Sequence, residues 1–243
     1  MRRVKATRKV ARRELLRIDG GHVEVNVRLN PRARRLIVKV HPATGEVTVT
    51  APSQRALDKA LEFARGQGDW IALQRSRVPA PVRLAAGAVI PFKGVDHEIR
   101  QGEAGRGPAW IEDGAIHVTG AREHHPRRLI DFLKKEARRE FEARTPQFAR
   151  RLGVRHRRIT IRDTASRWGS CSAKGSLSYS WRLILAPPWV LDYVVAHEVA
   201  HIREMNHGPD FWKLVRELVG DPRRAQKWLR EHGAALHRYA PKG

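Results

Sequence analysis

Alternation is the most regular signal in the chain. In "HVEVNVRL" Val23, Val25, Val27 and Leu29 share one face, the period of a half-buried strand. "RRLIVKV" repeats it with Leu36, Val38 and Val40, "PATG" supplies a turn, and "EVTVTAP" returns with Val47 and Val49, which predicts a hairpin. The period then lengthens to that of a helix. Leu57, Leu61, Phe63 and Ala64 follow Ser53, a cap candidate, and a glycine break precedes Trp70 and Ile71. Between residues 82 and 120 short strand candidates resume in "AVIPFKGVDHEIR" and "AWIEDGAIHVTG".

Past "GAREHHPRR" helical spacing dominates. Leu129, Ile130, Leu133, Ala137, Phe141, Phe148 and Leu152 predict one long amphipathic helix over 126–152, kinked at Pro146 and stopped at Gly153. "RITIRDTASRWGSCSAKGSLSYSWRLIL" predicts two or three short strands joined at Lys174–Gly175. "APPWVLDYVVAHEVAHIREM" predicts a helix opening after two prolines, with "NHGP" as its stop. "DFWKLVRELVG", with Asp210 as cap, and "DPRRAQKWLREHG" predict the last two helices. The expected class is α+β: a basic arm over 1–18, a β-rich domain over 19–122 and a helix-rich domain over 123–243.

Composition narrows the function classes. A chain of 243 residues with 41% hydrophobic and 30% charged content is globular rather than disordered. Its longest apolar runs, such as "LILAPPWVL", are broken by proline and fall short of the roughly 20 residues that span a bilayer, so no membrane partner is expected. The basic N-terminus leads into no apolar stretch and does not read as a secretory signal, although an Arg-rich transit segment stays compatible with a first acid at Glu14. One cysteine, Cys171, excludes an internal disulfide framework and fits a reducing compartment, with the cytoplasm as the expected location. Lys and Arg total 48 against 25 acids, a net charge of +23. Such a field attracts nucleic acid and other polyanions, unless arginine is simply this chain's solvated surface residue.

The chemistry concentrates in "AHEVAHIREMNHGPDFW", residues 196–212. His197 and His201 are one helical turn apart on one face, so both imidazoles reach a single ion. Glu198, about 100° further round the helix, faces a water at the metal rather than the metal itself. Tetrahedral zinc with one open position needs a third protein ligand. Glu204 shares the face, but seven residues of helix separate it from His197 by roughly 10 Å, too far to converge on bonds of about 2 Å. The break at Asn206–Pro209 turns the chain back, and His207 is the better third ligand. His and Glu buried unpaired in an apolar helix would be costly, which favours ligands over a chance motif. A purely structural zinc ordinarily adds a fourth side chain. Cys171 reads as a small buried residue or part of a substrate wall, with metal contact as a latency ligand the alternative. The spacing also fits the metzincin pattern, but Glu204 stands where that pattern has glycine and Met205 is adjacent rather than in a distant turn.

"SRWGSCS" at 166–172, "LSYSWRLILAPPWVLDYVVAHEVAH" and "HIREMNHGPDFWKLV" together resemble the YgjP-like metallopeptidase family, which is similar to the SprT-like, Spartan-type and minigluzincin zincins. The resemblance is densest over about 155–220. It implies a compact zincin fold in which helices pack on a small sheet and the active-site helix lies below an edge strand. It places zinc on His197, His201 and His207, catalysis at Glu198, and the Arg167–Cys171 segment near the cleft. Trp168 reads as a core or wall aromatic. The expected activity is zinc-dependent hydrolysis of peptide bonds in a peptide or protein substrate, with Glu198 as general base for the metal-activated water. Substrate would add as a strand near Ser166–Ser172. The oxyanion stabiliser stays open among Tyr193, Tyr179, Arg167 and His232. The alternatives are a DNA-associated, Spartan-like protease and a basic nucleic-acid-binding protein with a structural metal.

Overall fold

A computed structural model describes residues 10–18, 20–41, 44–78, 80–103, 105–164 and 167–239. The chain divides into two compact units, Met1–Pro79 and Ala80–Gly243.

In the first unit β1 (Val10–Ile18), β2 (Gly21–Leu29), β3 (Ile37–Val40) and β4 (Val47–Ala51) form a sheet of order β1-β2-β4-β3. The predicted β3–β4 hairpin is antiparallel, with Val38 opposite Val49. Of its turn, Pro42 and Ala43 lie outside the described residues. Helices α1 (Leu57–Gly66) and α2 (Gly68–Ser76) cover the sheet, and the break between them falls at Gln67. The buried stripe of α1 is Leu57, Ala60, Leu61 and Ala64, the i, i+3, i+4, i+7 rows. Phe63 is one position off that stripe and points to solvent. Ser53 makes no side-chain cap bond. The basic arm expected over 1–18 needs correction: Val10–Ile18 is a strand paired with β2, because Leu16 and Ile18 bury into the core between solvent-facing arginines. Residues 1–9 of that arm lie outside the described residues.

The second unit begins with a sheet of order β5-β6-β8-β7, built from β5 (Val89–Phe92), β6 (Val95–Gln101), β7 (Ala109–Glu112) and β8 (Ala115–Val118). The sequence pattern places these strands with the N-terminal domain and the junction near 122, whereas the units part at Pro79/Ala80. The reason is the core they join. Ile90, Phe92, Ile99, Ile116 and Val118 bury in one cluster with Leu129, Leu133 and Trp181, separate from the Val25–Val49–Leu61 cluster of the first unit. The long helix α3 (His125–Arg151) runs through Pro146 and buries Leu129, Leu133, Ala137 and Phe141, while Ile130 and Phe148 are half-buried. A three-stranded sheet follows, order β10-β11-β9, from β9 (Arg158–Arg162), β10 (Gly169–Cys171) and β11 (Ser176–Ser180). β10 is thus an edge strand. The Phe141 and Tyr179 rings stack at 4.3 Å where α3 crosses β11.

Helix α4 (Pro188–Ala200) is apolar almost all round and buried on every side, its start fixed by prolines at the first turn. α5 (Pro209–Val219) and α6 (Arg223–Leu236) complete the unit. Asp210 lies in the first turn of α5 and not at its cap, which is Gly208. At the other end of α5 the Arg151 guanidinium donates to the carbonyls of Leu218 at 2.8 Å and Glu217 at 2.7 Å. A cation there also suits the negative end of the helix dipole. Among the described residues no helix is long and apolar enough to cross a membrane.

Candidate metal centre

α4 ends one residue before His201, which is its C-cap, and His201–Arg203 form a turn. The sequence pattern extends this helix to Met205; the chain leaves it sooner. Glu204 therefore contributes through its backbone. Its carbonyl oxygen lies 3.0 Å from Nδ1 of His201, so an Nδ1–H donated there leaves Nε2 with a free lone pair. The chain then turns at Asn206–Gly208, and His207 folds back over the end of α4.

The three histidines converge. One ring nitrogen from each of His197, His201 and His207 lies within 4.8 Å of the others, the one such metal-capable cluster among the described residues. The Nε2 atoms of His197 and His207 are 3.1 Å apart. Tetrahedral zinc with bonds of about 2.0–2.1 Å sets ligand nitrogens about 3.3 Å apart, so the trio fits such an ion with little movement. Phe211, fully buried, backs all three rings at 4.9, 4.5 and 4.7 Å. The His197 Nδ1 is buried and makes no hydrogen bond, so packing orients this ring, between Phe211 and Tyr193. Burial, then the neighbouring His201 and His207, pushes the His197 imidazole down to about 4. Burial also lowers His201. Both are neutral near pH 7, the form a metal needs, so no proton has to be displaced from them.

Glu198 is 5% exposed, and its Oε2 is buried without a hydrogen-bond partner. Burial pushes its carboxyl up to about 7, with Arg167 opposing. An orphaned carboxyl one residue along α4 from a clustered histidine is an expensive arrangement for stability and a common one for chemistry. Its lid is backbone. A Cβ placed on Gly169 of β10 would stand 2.6 Å from Cγ and 2.7 Å from Cδ of Glu198, so any larger residue there must displace the Glu198 side chain. The family resemblance puts the Arg167–Cys171 segment near the cleft without singling out Gly169; a lone glycine inside a short strand is the available signal.

The other candidates sort by contact. Cys171 is half-buried beside Glu198, and burial first, then that carboxylate, pushes its thiol up to about 11. It is not part of the histidine cluster. Trp168 packs on His237 at 5.2 Å and against Gly233 of α6, as a wall aromatic. Tyr179 is core, its hydroxyl 3.3 Å from that of Thr145. His232 stacks on Trp228 at 5.1 Å. Tyr193 flanks His197 at 5.8 Å, and Arg167 acts on Glu198. Ser166 lies outside the described residues.

A family profile described as "YgjP-like, metallopeptidase domain" matches residues 34–232. Among solved structures, the metallopeptidase zymogen of Pyrococcus abyssi abylysin is similar at 20% identity, over 41% of this chain and 97% of that one, with a TM-score of 0.35. No curated protein matches.

Proposed function

The chain belongs to the YgjP-like metallopeptidase family and is therefore a metal-dependent peptidase, and on that premise we propose that His197, His201 and His207 hold zinc while Glu198 serves as general base. The observation that carries this reading is the convergence of three imidazoles, with a buried carboxyl next to His197 on α4 that has no hydrogen-bond partner on Oε2. A bound zinc supplies Lewis acidity, polarising the scissile carbonyl and lowering the pKa of water toward about 7. Glu198, buried under β10, would take a proton from the attacking water and hand it to the leaving amine. The polypeptide substrate adds as a strand to the open edge of β10, Gly169–Cys171, which runs directly over Glu198.

The test is metal content read beside turnover on a casein-like substrate. Glu198→Gln retains zinc and loses hydrolysis by about 10² to 10⁴-fold. His201→Ala and His207→Ala lose the metal. A zinc-free Glu198→Gln protein, or a fully loaded and active His207→Ala protein, overturns the assignment.

A second reading, recruitment to DNA, is favoured by one surface. An open groove of about 1070 Å³ along α3 carries Arg127, Arg128, Lys135 and Arg139 beside Trp110 and Phe132, with Asp131 and Glu136 also on its wall and Glu136 paired to Arg139. Affinity for duplex or single-stranded DNA that falls steeply with salt, and cleavage stimulated by DNA, would support it. Salt-independent or absent binding removes it.

A further inference from the structure

Beside the histidines lies a second cavity of about 580 Å³, lined by Trp212, Arg216, Asp221, Pro222, Arg223 and Gln226. It shares walls with the metal centre. The Trp212 ring centroid is 6.0 Å from that of His207 and 6.1 Å from that of His197. Gln226 donates to the Tyr193 hydroxyl at 3.3 Å, and the Tyr193 ring meets His197 edge-on at 5.8 Å. An extended peptide advances about 3.3 Å per residue. A substrate cleaved at the histidines therefore brings a group one or two residues away to this cavity.

The charges inside are unequal. Asp221 is taken up by Arg223, whose Nε lies 2.9 and 2.8 Å from the two carboxylate oxygens and whose backbone N–H donates at 3.0 Å. Arg216, one turn along α5 from Trp212, has no carboxylate in ion-pair contact among the described residues. Two guanidiniums, Arg216 and Arg223, thus share the one carboxylate of Asp221, which Arg216 reaches only electrostatically, so the cavity keeps a net positive charge beside an indole and a carboxamide. Arginine in excess is common on a chain of net charge +23; Arg216 lines a cavity whose wall is also the wall of the metal centre. A guanidinium so placed recognises a carboxylate, while the indole takes its aliphatic stem.

We propose that this cavity is a substrate subsite for a carboxylate, supplied by an Asp or Glu side chain or by the peptide's own C-terminus, with Arg216 as the residue that sets the preference. The assignment rests on the peptidase reading above. The test uses the full-length zinc-loaded protein and fluorescein-labelled peptides that differ only in Glu against Gln near the scissile bond, each with a free or amidated C-terminus. The carboxylate peptides are expected to be favoured by about tenfold or more in kcat/KM, the usual strength of a charge-assisted contact. The two arms separate side chain from terminus as the source. Arg216→Glu should invert the preference toward Lys at the same position. Peptide binding to the Glu198→Gln variant, read by fluorescence anisotropy, runs in parallel. Cleavage without any carboxylate preference, or a preference that survives Arg216→Glu, overturns the subsite. Carboxylate-selective binding that Arg216→Glu abolishes, with no cleavage by the wild type, sustains the subsite and sinks the peptidase reading instead.

Discussion

Gly169 and Glu198 form the tightest functional contact in the second unit, and the pair sets a requirement that neither residue shows alone. A methyl on Gly169 would occupy the volume of the Glu198 side chain. Gly169→Ala should thus push the carboxyl aside by an ångström or so while leaving the histidines alone. Misplacement on that scale costs about 10²-fold in rate. Zinc content should hold while kcat falls, as metal analysis beside steady-state kinetics will show. Shortening the acid as well, in Gly169→Ala/Glu198→Asp, should recover part of the loss; a double variant worse than the sum of the singles counts against a steric cause. The convergence of the three histidines was legible in the sequence, because a four-residue helical spacing and a turn are local facts. Gly169 was not, because the side chain it accommodates belongs to an element almost thirty residues away.

At the scale of elements, α4 was legible in its start and its apolar circumference, and wrong in its end. The pattern through Met205 looks helical, but capping by the backbone turn at His201–Arg203 closes the helix early, and no residue type announces that turn. What holds α4 in place is also tertiary. Glu140 of α3 pairs with Lys93 at 2.6 Å and with Arg144, and Arg144 Nε reaches Asp192 of α4 at 2.8 Å. Burial alone would raise the Glu140 carboxyl, but Lys93 and Arg144 outweigh it and hold it below its ordinary value of 4.5. A lowered folded pKa means stability that is fully present above 4.5 and lost as pH falls through the lower folded value. Glu140→Gln should therefore be less stable than the wild type near pH 7, with the gap closing in acid as urea midpoints are followed downward from pH 5. A gap that stays constant across that range would mean the pairing contributes little.

The whole molecule carries two cores, and the sequence showed their strands without showing their allegiance. Alternation in 82–120 resembles alternation in 23–51, and period says nothing about which hydrophobic cluster a strand will join. Separate cores predict separable unfolding. Leu61→Ala, a buried truncation in the first unit, should lower one transition by about 2–5 kcal/mol. Zinc at 100 times its Kd should raise only the other, by about 2.7 kcal/mol. Differential scanning calorimetry of the full chain with and without metal reads both, and a single transition that responds to both changes would contradict the division. The family match spans 34–232, which takes in most of the second unit and the later part of the first, from β3 onward. The net charge of +23 acts at this scale too, as a field rather than as a contact.

The hold of Arg151 on the far end of α5 bears on which ion the protein accepts. His207 stands two residues ahead of that helix, and Phe211, within its first turn, backs all three imidazoles. On the proposed assignment, a helix pinned at its last carbonyls would limit how far His207 can move to spread the trio around a larger cation or to flatten it for a square-planar one. Selection among divalent ions then falls to bond length and geometry, where affinity order alone would favour copper.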